Sequence, residues 1–362
     1  MSGAADRAKG AAILAVDGGN SKTDVALVTA DGQLLAAVRG PTTSHQQVGL
    51  EAGADRLAAL VAEARARGGL PASAPPAGIA VYALAGADTP SDHRRLSGAL
   101  EARGLARQTL VVNDAFAPIR SGSERGWGVA LICGSGMNAA GIAPDGRRAR
   151  LAALGEISGD WGGGGDIGVA ALGAAVRARD GRGSRTSLET LVPAHFGFRR
   201  PIDLTRAIDA GAVEQARLGE LSPVVFRAAG DGDVVARSIV DRLADELVTM
   251  AGAIIRRLSI SRRRPDVVLA GGIFAARDAA FETRIREGVW AVAPGADVRR
   301  SEALPVLGAA LLGLDQLKGP AGADGRAAEG RLRTALTSWR PTDRGSAGVV
   351  QSDLRTRVSH LG

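Results

Sequence analysis

The chain has a single cysteine in 362 residues, Cys133. That excludes an intramolecular disulfide, a cysteine-rich zinc site and an iron–sulfur cluster held by one chain, and it fits a reducing compartment. The four histidines, His45, His93, His195 and His360, are scattered without metal-ligand spacing, which argues against zinc. Aromatic residues make up only 3%, too few for the stacking platforms that bind single strands. Lysine is almost absent, since Lys9, Lys22 and Lys318 are the only ones, and the net charge of +7 is spread along the chain, with seven arginines against four acids after Lys318. No nucleic-acid partner is expected. Long apolar runs are missing too. Ala11–Val16 stops at Asp17, too short for a signal-peptide core or a membrane span, and the uncharged stretch Val129–Pro144 is interrupted by glycines and Asn138. A cytoplasmic protein without membrane contact is the expectation.

What is present is ordinary globular composition, 45% hydrophobic and 23% charged, at a length that suggests two domains or one domain of two similar halves. The opening reads as strand, glycine loop, strand, turn, strand. Ala11–Val16 leads into Asp17-Gly18-Gly19-Asn20-Ser21-Lys22-Thr23, then Val25–Val28, the dipeptide Asp31-Gly32 and Leu34–Val38. An Asp-Gly pair between apolar runs predicts a two-residue hairpin turn. The pattern recurs from Trp127: Gly128–Ile132, the loop Cys133-Gly134-Ser135-Gly136-Met137, Asn138–Ala143, Asp145-Gly146 and Arg147–Leu154. Two such units in one chain predict a duplicated, bilobal α/β fold. Further on, Asp233 can cap a long helix striped by Val235, Ile239, Leu243, Leu247, Met250, Ile254 and Leu258, which is a core stripe.

The chemistry is expected in glycine loops and carboxylates. Gly163, Gly165 and Gly168 satisfy G-x-G-x-x-G, but Ser158-Gly159-Asp160-Trp161 precedes them where a dinucleotide site needs a strand. Ser21-Lys22-Thr23 lacks the glycine that a Walker A lysine follows. Phosphate oxygens need dense donors at close approach, which glycine loops supply through backbone N–H groups. Gly18, Gly19, Asn20 and Thr23 form one such loop, Gly134, Ser135 and Gly136 a second, and Gly271-Gly272 a third after a strand. Asp17 at a strand end can hold Mg²⁺ directly or through water. Asp114, at another strand end, is a candidate base for an attacking hydroxyl. Each piece has a plainer alternative: Asp before Gly-Gly also makes turns, and Asp114 also serves as a helix cap.

The order of these pieces resembles the sugar kinase, actin and heat-shock ATPase superfamily, and within it the BadF/BadG/BcrA/BcrD-type ATPase family that includes N-acetylglucosamine kinases. The residues carrying the resemblance are Val16–Thr23, Asn113-Asp114-Ala115, Ile132–Asn138, Gly155–Gly162 and Ala270-Gly271-Gly272, within roughly Ala11–Leu317. The resemblance implies a two-lobed, duplicated actin-like (ribonuclease H-like) α/β fold with an ATP cleft between the lobes. It implies that Gly18, Gly19, Asn20, Ser21, Lys22, Thr23, Gly134, Ser135 and Gly136 hold phosphates, Gly271 and Gly272 the adenosine, and Asp17 the Mg²⁺. Asp114 would activate the sugar 6-hydroxyl. Ser135, Asn138 and Asp160 would contact the sugar, together with Ser44 and His45 from Thr42-Thr43-Ser44-His45, where the family usually carries asparagine in place of Ser44. The family's Gly-Asp-Glu-Gly stands here as Gly159-Asp160-Trp161-Gly162, and Trp161 either packs on a sugar face or fills core.

The implied function is ATP-dependent phosphorylation of the 6-hydroxyl of an amino sugar, N-acetylglucosamine first, by a homodimer. The alternatives are glucosamine, another hexose or a muramic-acid derivative as acceptor, or an ATPase switch of the same fold with no sugar acceptor. The expected organisation is a tail at 1–10, a lobe at 11–118 completed by a helix at 305–317, a second lobe at 119–304 and a mobile tail at 319–362.

Overall fold

The alternation that opens the chain becomes β1 (Ile13–Gly18), and Lys22–Val28 and Leu34–Pro41 become β2 and β3. The structure, a computed structural model, describes residues 11–71, 73–318 and 323–340. Its contacts divide the chain into residues 11–112 with 313–340 and residues 113–312.

In the first unit, the short helix α1 (His45–Val48) and the longer α2 (Leu50–Arg67) follow β3, then β4 (Ala77–Leu84), α3 (Pro90–Glu101) and β5 (Ala106–Asn113). The sheet order is β3-β2-β1-β4-β5, with β1 antiparallel to β2, β2 antiparallel to β3, and β1 parallel to β4. Leu14, Val16, Val25 and Leu27 meet Leu57, Val61 and Ala64 of α2 and Leu96 and Leu100 of α3 in one apolar cluster. Burying each large aliphatic side chain there contributes about 1.5–3 kcal/mol. A capping box starts α3: the Thr89 hydroxyl accepts from the Asp92 amide while the Asp92 carboxylate accepts from the Thr89 amide.

In the second unit a 3₁₀ turn, Asp114–Phe116, leads into α4 (Ala117–Gly122), β6 (Gly128–Cys133), β7 (Met137–Ile142) and β8 (Arg148–Arg150). Helices α5 (Gly163–Arg179), α6 (Leu188–His195), α7 (Pro201–Asp209), α8 (Ser222–Gly230) and α9 (Val234–Leu258) come next, then β9 (Asp266–Ala270), α10 (Ala279–Val292) and β10 (Asp297–Arg300). The order is β10-β9-β6-β7-β8, with β7 antiparallel to β6 and β8, and β9 parallel to β6. This is the first sheet again with β6 in the place of β1. The duplication extends to the turns, though their type differs from expectation. Gly32 donates its N–H to Thr29 and Gly146 its N–H to Ala143, with both glycines at positive φ, +87° and +85°. Asp31 and Asp145 are not left-handed, so each loop has three residues closed by a left-handed glycine rather than two.

The expected stripe of α9 is buried from Ile239 to Leu258, with Val235 in the first turn only half-buried. Asp233 caps it by accepting from the amides of Val235 and Ala236 at 2.9 and 3.0 Å, and it also accepts from the Thr186 and Ser187 hydroxyls. Burial works against its charge, but these bonds hold its pKa at about 2.

The domain borders depart from the reading of the sequence. Residues 113–118 belong to the second unit, and α11 (Pro305–Lys318) is divided between the two at Leu312/Gly313 instead of completing the first. The stretch expected as a tail from Gly319 contains a helix, α12 (Ala323–Ser338), whose Ala328, Leu332 and Leu336 are fully buried. It lies against the β2–β3 turn: Arg331 donates twice to the Asp31 carbonyl, at 3.0 and 2.6 Å, and the Ala328 backbone fills the space where a Cβ on Gly32 would stand. Apolar residues four apart along α12 explain the docking; the Gly- and Arg-rich sequence around them hides it. Residues 1–10, 319–322 and 341–362 lie outside the described residues.

Candidate active site

In the first unit the Asp17–Thr23 segment is a tight hairpin. Gly18 is the last residue of β1, buried where a Cβ would come 2.6 Å from Leu84 Cδ2. Gly19 donates its N–H to the Lys22 carbonyl at 3.0 Å and its own carbonyl accepts from the Thr42 hydroxyl at 2.9 Å. Two residues expected among the phosphate donors, Gly18 and Gly19, are therefore engaged within the hairpin, and the exposed tip is Asn20, Ser21 and Lys22. Thr23 differs from expectation more sharply. It is fully buried, shares a hydrogen bond of 3.0 Å with the Thr43 hydroxyl and accepts the Thr43 N–H at 3.1 Å. Its hydroxyl fastens the 42–45 loop to the hairpin instead of facing a phosphate. The structure thus brings the first phosphate loop and the expected sugar loop together. Ser44 is buried with its hydroxyl unpaired, and His45 has an unpaired, buried Nδ1. Gly86, at φ +78°, makes room for the His45 ring, whose Cε1 would stand 2.6 Å from a Cβ there.

Asp17 is half-buried at the end of β1. The register places it opposite Asp24, and Asp24 opposite Arg39, and cross-strand partners share a face. Asp24 is fully buried and takes two bonds from Arg39, at 2.6 and 2.7 Å. One arginine so neutralises the second of two adjacent carboxylates. The sequence offered Asp24 and Arg39 no motif; strand pairing alone reveals them.

In the second unit three glycine segments converge on one loop. Gly134 donates to the Gly136 carbonyl, while Gly164 and Gly165, in the first turn of α5, donate to the carbonyls of Gly134 and Ser135 at 2.8 and 3.1 Å. Gly163, at φ +81°, approaches so closely that a Cβ would lie 2.5 Å from Gly136 Cα, and Gly271, at φ +109°, lies against the Cys133 backbone. The glycines of the G-x-G-x-x-G pattern let the start of α5 seat on the Gly134–Gly136 loop. Burial pushes the Cys133 thiol up to about 12, with the Gly163 N–H working the other way, so the thiol stays protonated and unreactive. Beside Gly272 opens a cavity of about 420 Å³ lined by Ser222, Phe226, Arg227, Ile273 and Asp278 among others, in the size range of small-molecule sites. Its walls come from α8 and the turn after β9, and nothing in the sequence marked α8 for this role.

Asp114 opens the 3₁₀ turn directly after β5 and is half-buried, while Asn113 caps the turn by accepting the Ala115 N–H at 3.1 Å. The cap is the neighbour, not Asp114. Asn138 on β7 keeps its Oδ1 buried and without a hydrogen-bond partner. Asp160 accepts from the Ser158 hydroxyl in a loop folded on itself, with the Asp160 N–H on the Gly155 carbonyl at 3.1 Å. Trp161 packs against the core of this unit, and the Arg242 guanidinium stacks 3.8 Å from its ring centroid. The ring thus sits between core and guanidinium.

Residues 14–313 match the BadF/BadG/BcrA/BcrD ATPase family. The chain belongs to that family. Among its similar proteins is the N-acetylmuramic acid/N-acetylglucosamine kinase of Clostridium acetobutylicum, 30% identical over 262 residues, covering 72% of this chain and 85% of that one. The N-acetyl-D-glucosamine kinase of Dictyostelium discoideum is 25% identical, covering 84% and 98%. A solved structure from Chromobacterium violaceum, assigned as an N-acetylglucosamine kinase, superposes with a TM-score of 0.64 at 23% identity, covering 83% of this chain and 98% of that one. The architecture is that of an actin-like ATPase domain shared with sugar kinases, and α12 lies beyond the segment that matches the BadF/BadG/BcrA/BcrD family.

Proposed function

We propose that this member of the BadF/BadG/BcrA/BcrD family is an ATP-dependent kinase that transfers phosphate to the 6-hydroxyl of an amino sugar of the N-acetylglucosamine type. One observation carries the reading. Among the described residues five have a buried polar side-chain atom without a hydrogen-bond partner, and three of them, Ser44, His45 and Asn138, are those expected to meet the sugar. The other two are Tyr82 and Arg299. Buried polar atoms are nearly always paired, so groups left open in this way call for a hydroxyl-rich ligand.

In this reading Asp114 accepts the proton of the 6-hydroxyl as the oxygen attacks the γ-phosphorus, and ADP leaves. The amides of Ser135 and Gly136, on the loop seated by α5, meet the transferring phosphoryl, and the exposed Asn20-Ser21-Lys22 tip offers donors to the chain of phosphates. The Gly271-Gly272 turn and the 420 Å³ cavity beside it take the adenosine. Asn138 and Asp160 orient the sugar hydroxyls, with Ser44 and His45. Phosphoryl transfer asks mainly for positioning and charge neutralisation, which these residues are suited to supply.

The donors fit Mg²⁺. Asp17 would offer a hard oxygen ligand beside Asp24, whose charge Arg39 already meets, and Mg²⁺ at kinase sites is commonly held by one or two carboxylates plus substrate phosphates and waters. When bound, that ion neutralises charge on the phosphate oxygens. We carry a homodimer and a cytoplasmic location as part of the same proposal; no described helix is long and apolar enough to cross a membrane.

The test is ADP release across a panel of sugars. The proposal expects release above background with N-acetylated amino sugars and little with ATP alone. ATP hydrolysis indifferent to every sugar would instead indicate a switch of the same fold.

A further inference from the structure

The cavity beside Gly272 has two walls, both within the second unit. One face of α8 supplies Ser222, Phe226 and Arg227, and the turn after β9 supplies Gly272 and Ile273. A Cβ on Gly272 would meet nothing within 4 Å, so the turn opens directly on free space. Of the side chains that line the cavity, only those of Ser222, Arg227 and Asp278 carry polar atoms.

Two of these three already serve the fold. The Ser222 hydroxyl donates to the Gly219 carbonyl at 3.1 Å. The Asp278 carboxylate accepts a fork of two bonds from Arg237, at 3.1 and 2.8 Å, and caps α10 by accepting the Phe281 amide at 2.8 Å. Arg227 is exposed and has no hydrogen-bond or ion-pair partner among the described residues. It is the polar side chain left to meet the edge of a base.

A guanidinium only donates. Adenine presents an amino donor at C6, so a site that selects adenine needs an acceptor facing that group. Arginine suits the opposite edge, the paired O6 and N7 acceptors of a 6-oxopurine. The rest of the lining is apolar, and an apolar wall discriminates weakly between groups of equal shape, whereas a hydrogen-bonding edge rejects a wrong partner by orders of magnitude.

We propose that the phosphate donor is a purine nucleoside triphosphate in general: the cavity takes guanine and hypoxanthine as well as adenine, and Arg227 sets the balance between them. This rests on the kinase reading above, which puts the nucleoside in this cavity. The transfer itself does not change with the base. The sugar oxygen bonds to the γ-phosphorus, the bond from that phosphorus to the β–γ bridging oxygen breaks, the hydroxyl proton goes to Asp114, and the nucleoside diphosphate leaves.

The test compares kcat/KM for ATP, GTP and ITP, with N-acetylglucosamine as acceptor, in the full chain and in Arg227→Gln, Arg227→Lys and Gly272→Val. In the full chain GTP and ITP should fall within about 10-fold of ATP. Arg227→Gln should lower the GTP-to-ATP ratio about 10-fold or more, the scale of one lost charge-assisted hydrogen bond, and Arg227→Lys should recover part of it. Calorimetric Kd values for GDP and ADP should move in the same ratio. Gly272→Val, which sets a branched side chain in the cavity, should raise KM for all three nucleotides alike. Three outcomes overturn the proposal: GTP and ITP more than about 100-fold below ATP, which would give the choice of base to the backbone of the turn, a GTP-to-ATP ratio unmoved by Arg227→Gln, or an unchanged nucleotide KM in Gly272→Val. Absence of sugar phosphate with every nucleotide would instead defeat the kinase reading itself. Arg227 is exposed and glutamine is a good helix former, so its variant should fold and keep the test interpretable.

Discussion

Ser44, His45 and Asn138 each keep a buried polar atom without a protein partner, and leaving such an atom unpaired costs about 1–3 kcal/mol. In the proposed function these atoms are the ones that meet sugar hydroxyls. Asp114 stands differently: it is half-buried, and the cap of its turn is Asn113; in the proposed mechanism it is the base. Asp114→Asn should lower kcat by about 10²–10⁴-fold, the range for removing a general base, with ADP binding by calorimetry unchanged within about 2-fold. Sugar phosphorylation at the full rate in that variant would remove Asp114 from the mechanism. Candidate residues such as Asp17, Asp114 and the loop glycines could be picked out because glycines and aspartates at strand ends match what phosphate and hydroxyl groups require, whereas Ser44, His45, Asn138 and Asp160 came from the family resemblance alone. Thr23 was not legible in the same way. A threonine beside a glycine loop looks like a phosphate ligand, and only the position of Thr43 across the hairpin shows where its hydroxyl goes.

At the scale of elements, the start of α5 and the Gly134–Gly136 loop behave as one piece, joined by two backbone bonds and by a contact that only glycine permits. Gly163→Ala combines a positive φ with a Cβ 2.5 Å from the Gly136 backbone. It should cost about 1–3 kcal/mol and weaken ADP binding, measurable as a lowered Tm and a raised Kd. A variant as stable and as tightly binding as the parent would separate α5 from the phosphate loop. Strands, hairpins and the capped α9 could be read from the sequence because alternation, Asp-Gly and an Asp cap before an apolar stripe are local signals. The turn type was misjudged since Asp-Gly suits both a two-residue turn and the third position of a longer one. Helix α12 was missed because only Ala328, Leu332 and Leu336 mark its buried side, and small residues at helical spacing in a Gly- and Arg-rich stretch give a faint pattern.

For the whole molecule, two sheets with the same strand order and the same left-handed glycine at corresponding turns account for why one chain carries two phosphate-type loops. Duplication of the architecture was visible in the sequence as a repeated order of strand, loop, strand and turn. The exact division was not, because the border falls at Val112/Asn113, at the last residue of β5, where no composition change marks it. Family membership and the named relatives fit a kinase; attack by the sugar 6-hydroxyl, with Asp114 as base, is the part we propose. The most direct measurement is therefore the identity of the product: incubation of the full chain with ATP, Mg²⁺ and N-acetylglucosamine, followed by phosphorus and proton NMR of the sugar. A single phosphate monoester coupled to the C6 protons, formed in step with ADP, is the predicted result. Phosphate on the anomeric or another oxygen, or ADP and inorganic phosphate with the sugar unchanged, would contradict the account.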